Sequence, residues 1–542
     1  MQVKNRENVY SSICPGCGLA CGLYIREMVS GTGETSVSVD FRKSSPVNAG
    51  KLCRFGLKLP VYYTEPQAHT EPQAYTEPQA YTEPQASMVR GQKSELKAAI
   101  SAASEALKTV SAERLAFFSV GNTTNEEQKA FSALAGAFGA GVETGMGIYS
   151  SLPAKMHSAL FQGMSLEGLE KAKQVFLFVD PYSQYPLLLR RVLRAKENGA
   201  KVVCIGPRHL PVADEQFCLK PEEYGKSLSP SRDAVLIADI HPYSDPAHIK
   251  AVLDLAQASG ANSLFLRPFA NSAGTALLSA HTKQHTLDKL FEDINSGKIK
   301  ALFCLESDLL ELAPDREAAL QALSKLDTLI VQTSGQGEFS RLADILIASE
   351  PFYRKQGTVL NAEGRLLSAG GNSTSGFDVL SSLAAAFGKQ LDFESVRKEV
   401  FEVIGLKEAD EFAFRTPAEF FPVSAEVETP CSKKGPVPEA CSMSIYDSCP
   451  EESCPECSSA SLVYSLSPFM WHGIEDCSDF VELNLSMVRK LGLVKGGNVK
   501  IRASEKTVDV KFRVSDIEDG CLLSPRKLPV SGIQGAEVEL SR

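Results

Sequence analysis

The chain has 542 residues, 43% hydrophobic and 23% charged, with a formal net charge of −10. That is ordinary globular composition, in a chain long enough for about three or four domains. The acidic balance and the lack of any Lys/Arg-rich run exclude the electrostatic footprint of a nucleic-acid or anionic-membrane binder. No apolar stretch reaches the roughly 18 residues that a spanning helix needs.

The N-terminus, "MQVKNRENVYSS", has no apolar central region and so no Sec-type signal. The expected compartment is the cytoplasm, with peripheral attachment through a partner subunit left open. Fourteen cysteines are many for that compartment, where disulfides are disfavoured and ligand duty is the natural reading.

Residues 1–62 are rich in Cys and Gly, with short β-like runs such as "GLYIREM" and "TSVSVDF". They read as a small module stapled by a ligand. The spacing is Cys14-x2-Cys17-x3-Cys21-x31-Cys53. Gly16, Gly18 and Gly22 are interleaved, so a loop can curl closely around a small inorganic body. Positive φ is expected at those glycines, and a tight turn at Gly56. Backbone N–H groups would then point at sulfur and offset its charge. A [4Fe-4S] cluster suits this pattern. Four thiolates also suit structural zinc, although a zinc ribbon more often carries two matched C-x2-C pairs. Simple buried thiols are the third reading.

Residues 63–86 repeat "TEPQA" four times. A Pro every six residues breaks both helix and central strand, and the unit lacks an apolar face to stack. An extended, solvated insert is expected. From 87 to 422, helical stretches such as "KSELKAAISAASEALKTV" and "NEEQKAFSALAGAFG" alternate with short apolar runs. These are "LAFFSV", "QVFLFV", "AKVVCIG", "DAVLIAD", "SLFLRP", "ALFCLE" and "DTLIVQT". The alternation predicts parallel strands covered on both faces, in two α/β layers. Residues 423–459 are Pro-, Ser-, Glu- and Cys-rich, a linker by composition. In 460–542, "DFVELNLSMVRKLGL" predicts a short amphipathic helix. Alternating strands with Gly-Gly turns then predict a compact β-barrel.

The cysteine spacing, with "KLCRFG" around the fourth cysteine, resembles the start of the molybdopterin oxidoreductase superfamily. That group includes formate dehydrogenases, nitrate reductases, formylmethanofuran dehydrogenase and the large iron–sulfur subunit of NADH-quinone oxidoreductase. Further matches follow in order. They are "VFLFVDPYSQYPLLLRRVLRAKENGAKVVCIGPR", "LRPFANSAGT", and "LADILIASEPFYRKQGTVLNAEGRL" with its "GT-x2-N-x-EGR" signature. The last 80 or so residues resemble the family's C-terminal double-psi barrel. The resemblance implies an α/β fold of two interleaved layers between a 4Fe-4S module and that barrel. It also implies a molybdenum or tungsten ion held by two molybdopterin guanine dinucleotides. Cys14, Cys17, Cys21 and Cys53 are then the cluster ligands, and Asp180, Arg208, Asn361 and Arg365 the positions facing the cofactor.

Several family positions depart from the pattern. Ser150 or Ser151 stands where a metal-ligating Cys or selenocysteine is expected. Phe55 replaces a lysine between cluster and pterin, with Arg54 adjacent. Asp180 replaces an Asn and Tyr185 a His in the nucleotide loop. A later loop reads Glu306-Ser307-Asp308, and Arg354 stands where Glu is common. A carboxylate beside a pyrophosphate is electrostatically unfavourable. Together these departures resemble the NADH-quinone oxidoreductase subunit, which keeps the fold and cluster but lacks the metal–pterin site. The "GTVLNAEGR" run then reads as scaffold, with Arg365 tying a loop through bidentate hydrogen bonds.

The expected function is an iron–sulfur electron-transfer subunit of a multisubunit dehydrogenase, with other redox subunits as partners. One alternative is an active Mo or W bis-pterin oxidoreductase acting on formate or a formyl group. The other is a non-redox scaffold.

Weaker signals remain. Cys449-x4-Cys454-x2-Cys457, with Cys431, Cys441 or Cys477 as a fourth ligand, has plant-type [2Fe-2S] order, or is a set of incidental thiols in a linker. His281 and His285 are four apart, with no nearby carboxylate evident, and read as an exposed helix face. "YGKS" fails as a phosphate loop because Lys220 sits where its first glycine must be.

Lengthening a solvated insert costs little, about 0.6 kcal/mol of loop-closure entropy per doubling. Deleting three of the four repeat copies is therefore expected to leave iron content and the unfolding midpoint unchanged. A loss of iron would show that the repeat is more than a spacer.

Overall fold

The computed structural model describes residues 6–31, 35–64, 86–161, 164–279, 284–335, 337–405, 457–472, 480–503, 506–530 and 535–542. Nearly all of the repeat, most of the linker with Cys431, Cys441, Cys449 and Cys454, and also His281 and Cys477, lie outside the described residues.

The chain opens with an antiparallel sheet of β1 (Arg6–Ile13), β2 (Gly22–Val29) and β3 (Thr35–Phe41). Helix α1 (Arg54–Thr64) closes this module. The chain then starts a larger sheet with the β4–β5 hairpin (Ser87–Val89, Gln92–Ser94), β6 (Leu115–Phe118) and β7 (Val142–Glu143). It leaves to build a five-stranded parallel sheet from β8 (Gln174–Leu177), β9 (Lys201–Ile205), β10 (Glu215–Phe217), β11 (Ala234–Asp239) and β12 (Asn262–Leu266), in the order β10-β9-β8-β11-β12. It returns with β13 (Ala301–Leu305), β14 (Thr328–Thr333) and β15 (Ile345–Ala348), which complete the first sheet as β5-β4-β15-β14-β13-β6-β7. The two α/β layers are therefore interleaved in sequence. The runs that form their central strands are buried on both faces, as in Leu115–Phe118 and Ala301–Leu305. Such strands suit a parallel sheet with helices on either side.

Aromatic side chains fix the packing of the larger sheet. Phe131, from the helix Asn125–Ala137, meets Phe303 edge-on at 5.1 Å and Phe117 at 5.5 Å. Thr124 caps that helix in a capping box with Glu127, which orients its first turn. A short hairpin follows, β16 (Thr358–Leu360) and β17 (Leu366–Ser368). The "NAEG" turn between them is used by the site.

The C-terminal part is a closed barrel of β18 (Cys457–Tyr464), β19 (Phe480–Leu483), β20 (Asn498–Ala503), β21 (Lys506–Val514), β22 (Cys521–Ser524) and β23 (Glu537–Ser541), in the order β18-β22-β19-β21-β20-β23. Cys457 is thus an exposed barrel residue paired with Ser541. The helix expected across "DFVELNLSMVRKLGL" is only partly formed. Phe480–Leu483 is a strand parallel to β21, and the helix starts after Asn484, whose side chain accepts from the Met487 N–H at 2.8 Å. An Asn at that position competes with helix continuation and favours a cap.

A buried ion triad ties three segments of the core. Lys355 Nζ lies 3.0 Å from Glu127 and 2.7 Å from Glu306, with all three side chains no more than 4% exposed. Burial alone would lower the Lys355 pKa, but the two carboxylates outweigh it and raise the group above its ordinary value. Lys355→Met leaves two buried carboxylates without their cation. The expected cost is about 3–5 kcal/mol, read by chemical unfolding. A loss below about 1 kcal/mol would show that the triad does not hold the layers.

Candidate metal centre

β1 delivers Cys14 to the head of a tight loop. The Cys14 N–H donates to the Cys21 carbonyl at 2.7 Å, and the Ala20 N–H to that of Cys17 at 3.0 Å. The left-handed backbone expected at a glycine falls on Ala20, φ 54°, and not on Gly16, Gly18 or Gly22. The glycines serve close approach instead. A Cβ at Gly16 would lie 2.4 Å from the Phe55 ring, and one at Gly22 would lie 2.7 Å from Ser45. Gly56 is also not a turn. It lies in the first turn of α1, directly after Cys53, whose carbonyl accepts from the Leu57 N–H at 3.1 Å. Cys53 therefore sits at a helix N-terminus.

Cys14, Cys17, Cys21 and Cys53 line one small cavity, otherwise walled by apolar groups such as Leu19, Leu52 and Phe469 and by Tyr185. Burial first, and then the neighbouring thiols, push Cys14 and Cys21 well above their ordinary values and Cys17 up to about 12. Backbone N–H groups act the other way, from Gly16 on Cys14 and from Leu19 and Ala20 on Cys17. Four thiolates cannot share this pocket without a multivalent cation, and metal binding would deprotonate them. Among the described residues no three His, Cys, Asp or Glu side chains converge closely enough to hold a single ion.

The loop is clamped from two sides. The Gly18 N–H donates to the Arg267 carbonyl at 2.7 Å, and the Ala362 N–H to the Gly18 carbonyl at 2.7 Å. Asn361 Nδ2 donates to the Leu19 carbonyl at 3.1 Å, while its Oδ1 accepts from the Glu363 and Arg365 N–H groups. Arg365 reaches Glu363 and Glu167, each at 3.5 Å. Asn361 and Arg365, expected to face a cofactor, are thus placed in the turn that braces the cysteine loop. Arg267 is fully buried and spans Tyr149, Phe265 and Leu160. Its signals in the sequence were its place at the end of an apolar strand run and within the "LRPFANSAGT" match, neither of which pointed to the cysteine loop.

Beyond the thiols stands a neutral aromatic cluster. Phe55 stacks on Phe469 at 4.9 Å and meets His472 at 5.2 Å. Burial lowers His472 to about 4, so it is uncharged near neutrality. Arg54 turns away, donating to the Ser183 carbonyl at 2.7 Å and covering the Phe469 ring.

A separate cavity of about 1890 Å³, its open mouth included, lies between the C-terminal ends of β8, β9 and β11 and the barrel. Asp180 and Arg208 both line it, 3.3 Å apart, and Arg208 also pairs with Glu482 at 2.9 Å. Asp180 further accepts from the Tyr182 N–H and the Ser183 hydroxyl, which shapes its turn. Burial raises Asp239 to about 7, and Gln184 donates to it at 3.1 Å. Seven carboxylates line the cavity against the cations Arg208 and Lys220. Arg208 is already neutralised, so this lining does not fit a pyrophosphate.

Ser150 and Ser151 are exposed and line neither cavity. The Ser150 hydroxyl accepts from the Gln284 N–H at 2.6 Å, and that of Ser151 donates to the Gly147 carbonyl at 2.8 Å. Both are engaged with backbone at the surface rather than aimed at a metal. His285 does have a carboxylate partner, Glu143 at 2.7 Å. Asp308 caps a short turn through the Leu310 and Glu311 N–H groups.

Residues 7–60 match the family described as the molybdopterin oxidoreductase Fe4S4 domain. The chain is 29% identical over 242 residues to the F420-dependent formate dehydrogenase 1 subunit alpha of Methanococcus maripaludis, covering 42% of this chain and 32% of that protein. It is 24% identical over 468 residues to the F420-dependent formate dehydrogenase subunit alpha of Methanocaldococcus jannaschii, covering 66% of each. The matches thus span less than two thirds of these relatives' own lengths. A subunit of the NADH-quinone oxidoreductase of Rhizobium meliloti is 32% identical over 98 residues, covering 18% of this chain and 12% of that one. The fold is similar to that of acetylene hydratase from Pelobacter acetylenicus. The TM-score is 0.54 at 12% identity, over 95% of this chain and 92% of that one.

Gly16→Ala forces its new methyl group against the Phe55 ring, an overpacking cost of about 1–3 kcal/mol. Iron per chain is expected to fall by more than about half, and Gly16→Ala with Phe55→Leu to recover most of it. Unchanged iron in the single variant would show that the loop is not set by this contact.

Proposed function

The chain belongs to the molybdopterin oxidoreductase superfamily, and we propose that within it this protein is an iron–sulfur electron-transfer subunit of a multisubunit dehydrogenase. The observation that carries the reading is the set of four thiols around one apolar cavity. Cys14, Cys17, Cys21 and Cys53 would hold a [4Fe-4S] cluster there. When bound, such a cluster supplies single-electron transfer at a potential set by its surroundings.

The protein's own residues define those surroundings. Leu19, Leu52, Tyr185 and Phe469 exclude water from the thiols. Backbone N–H groups of Gly16, Leu19 and Ala20 stabilise charge on Cys14 and Cys17. The turn of Asn361–Arg365 and the carbonyl of Arg267 keep the loop closed. Cys53, at the head of α1, is the least buried of the four, which makes its side the shorter route to a partner.

Two features disfavour a working metal–pterin centre. Phe55, Phe469 and His472 fill the space beyond the thiols with uncharged rings. The large cavity presents carboxylates where phosphate groups would need cations. Partner subunits are part of the proposal, in keeping with relatives that are themselves named as subunits. Among the described residues no helix is long and apolar enough to cross a membrane.

Metal analysis of the purified full chain tests this. About four iron atoms per chain are expected, with no molybdenum or tungsten, and with a paramagnetic signal after dithionite reduction. Stoichiometric molybdenum or tungsten would restore the bis-pterin enzyme, and a cluster that dithionite cannot reduce would leave a scaffold.

A further inference from the structure

The cysteines outside the first cluster are not equivalent. Cys204 and Cys304 are buried within β9 and β13, inside the sheets. Cys218 and Cys521 are placed differently. Cys218 directly follows β10, the outer strand of the five-stranded sheet. Cys521 is the first residue of β22, where it pairs with Ser461 of β18 in the barrel wall. The two are 303 positions apart in sequence, yet their sulfurs lie 3.8 Å apart, at hydrogen-bonding distance for thiols.

This meeting is built into the junction between sheet and barrel. The Glu518 N–H donates to the Pro207 carbonyl at 2.8 Å, and Arg208 pairs with Ile517 in an antiparallel bridge. Arg208 also holds Glu482 at 2.9 Å, and Lys220 faces Glu537 at 3.8 Å. Backbone and charge contacts thus register both sides of the pair. Both cysteines line the wall of the large cavity, which shares no lining residue with the thiol cavity.

We propose that Cys218 and Cys521 form an oxidisable dithiol, which closes by exchange with a small disulfide into a cross-link joining the five-stranded sheet to the barrel. Cys218 is exposed, so a small oxidant reaches it, while Cys521 is buried behind it. The hydrogen bond from Cys521 draws the Cys218 thiol below its ordinary value, and the same contact, with burial, pushes Cys521 up. This asymmetry gives the order of attack, since the thiolate is the nucleophile. The Cys218 thiolate attacks one sulfur of the small disulfide R–S–S–R. That S–S bond breaks, R–S⁻ leaves and takes up a proton, and Cys218 is left as a mixed disulfide. Cys521, after losing its proton, attacks the Cys218 sulfur and expels the second R–S⁻, which is protonated in turn. The two protein thiols lose two electrons and two protons, and R–S–S–R is reduced to two R–SH.

The test uses the full chain, purified without oxygen and incubated across ratios of reduced to oxidised glutathione. Free thiols are then alkylated and peptides mapped by mass spectrometry. A Cys218–Cys521 linked peptide is expected to accumulate as the oxidised fraction rises, with iron per chain unchanged. Cys521→Ser is expected to trap a glutathione mixed disulfide on Cys218, and Cys218→Ser to leave Cys521 free. The proposal is overturned if both thiols alkylate as free cysteines at every ratio. It is also overturned if the native chain stops at a stable mixed disulfide on Cys218.

Discussion

Four thiols held in one apolar cavity set the terms for everything around them. Cys14, Cys17 and Cys21 are costly to ionise there, and each ionised neighbour raises the cost for the rest. Among the described residues, neither lysine nor arginine lines that cavity. The protein's own compensation is limited to backbone N–H groups. These suffice to bias a metal-bound thiolate but not to carry four charges alone. The balance has to come from a polynuclear cation, and the cysteine loop is shaped for the space it takes. The close approach of Gly16 to Phe55 and of Gly22 to Ser45 follows from this need for a loop wrapped without slack.

The same principle, charge neutralised locally, explains the acidic departures from the family pattern. Asp180 is spent on Arg208 and on its own turn. Glu306 is spent on Lys355, with Thr333 and Ser334 donating to its second oxygen. Arg354, where a glutamate is common, pairs with Glu27 of the N-terminal sheet and with Glu350. Arg354 and Tyr353 thereby dock the module onto the core through one buried carboxylate. These charged side chains act between protein segments.

Much of this was legible in the sequence. The apolar runs fell on the central strands because parallel strands buried on both faces need uninterrupted Val, Ile, Leu and Phe. The cysteine spacing pointed to one cavity, and the structure brings those four side chains together. What the sequence could not show was backbone detail. The left-handed residue is Ala20, since loop closure between Cys14 and Cys21 decides φ there and local preference does not. The Phe480–Leu483 strand was hidden in a helical pattern because its apolar residues also fit a barrel wall, and only pairing with β21 separates the two. Asn361 and Arg365 were legible as a motif but not as a brace, because their partners lie in Leu19, Glu167 and Glu363. The juxtaposition of Cys218 with Cys521 carried no sequence signal at all, as it depends on how the barrel seats against the sheet.

Neutral rings and neutralised charges together divide the molecule into two regimes. Around the thiols the lining is largely apolar, which suits a centre that changes by one electron with little rearrangement. At the sheet–barrel junction, carboxylates and an exposed thiol face an open cavity, a lining that does not favour phosphate. An active metal–pterin enzyme would need the reverse at that junction, with free cations facing the cavity to bind pyrophosphate. The charges that line this junction pair with one another and so hold the protein's own parts together.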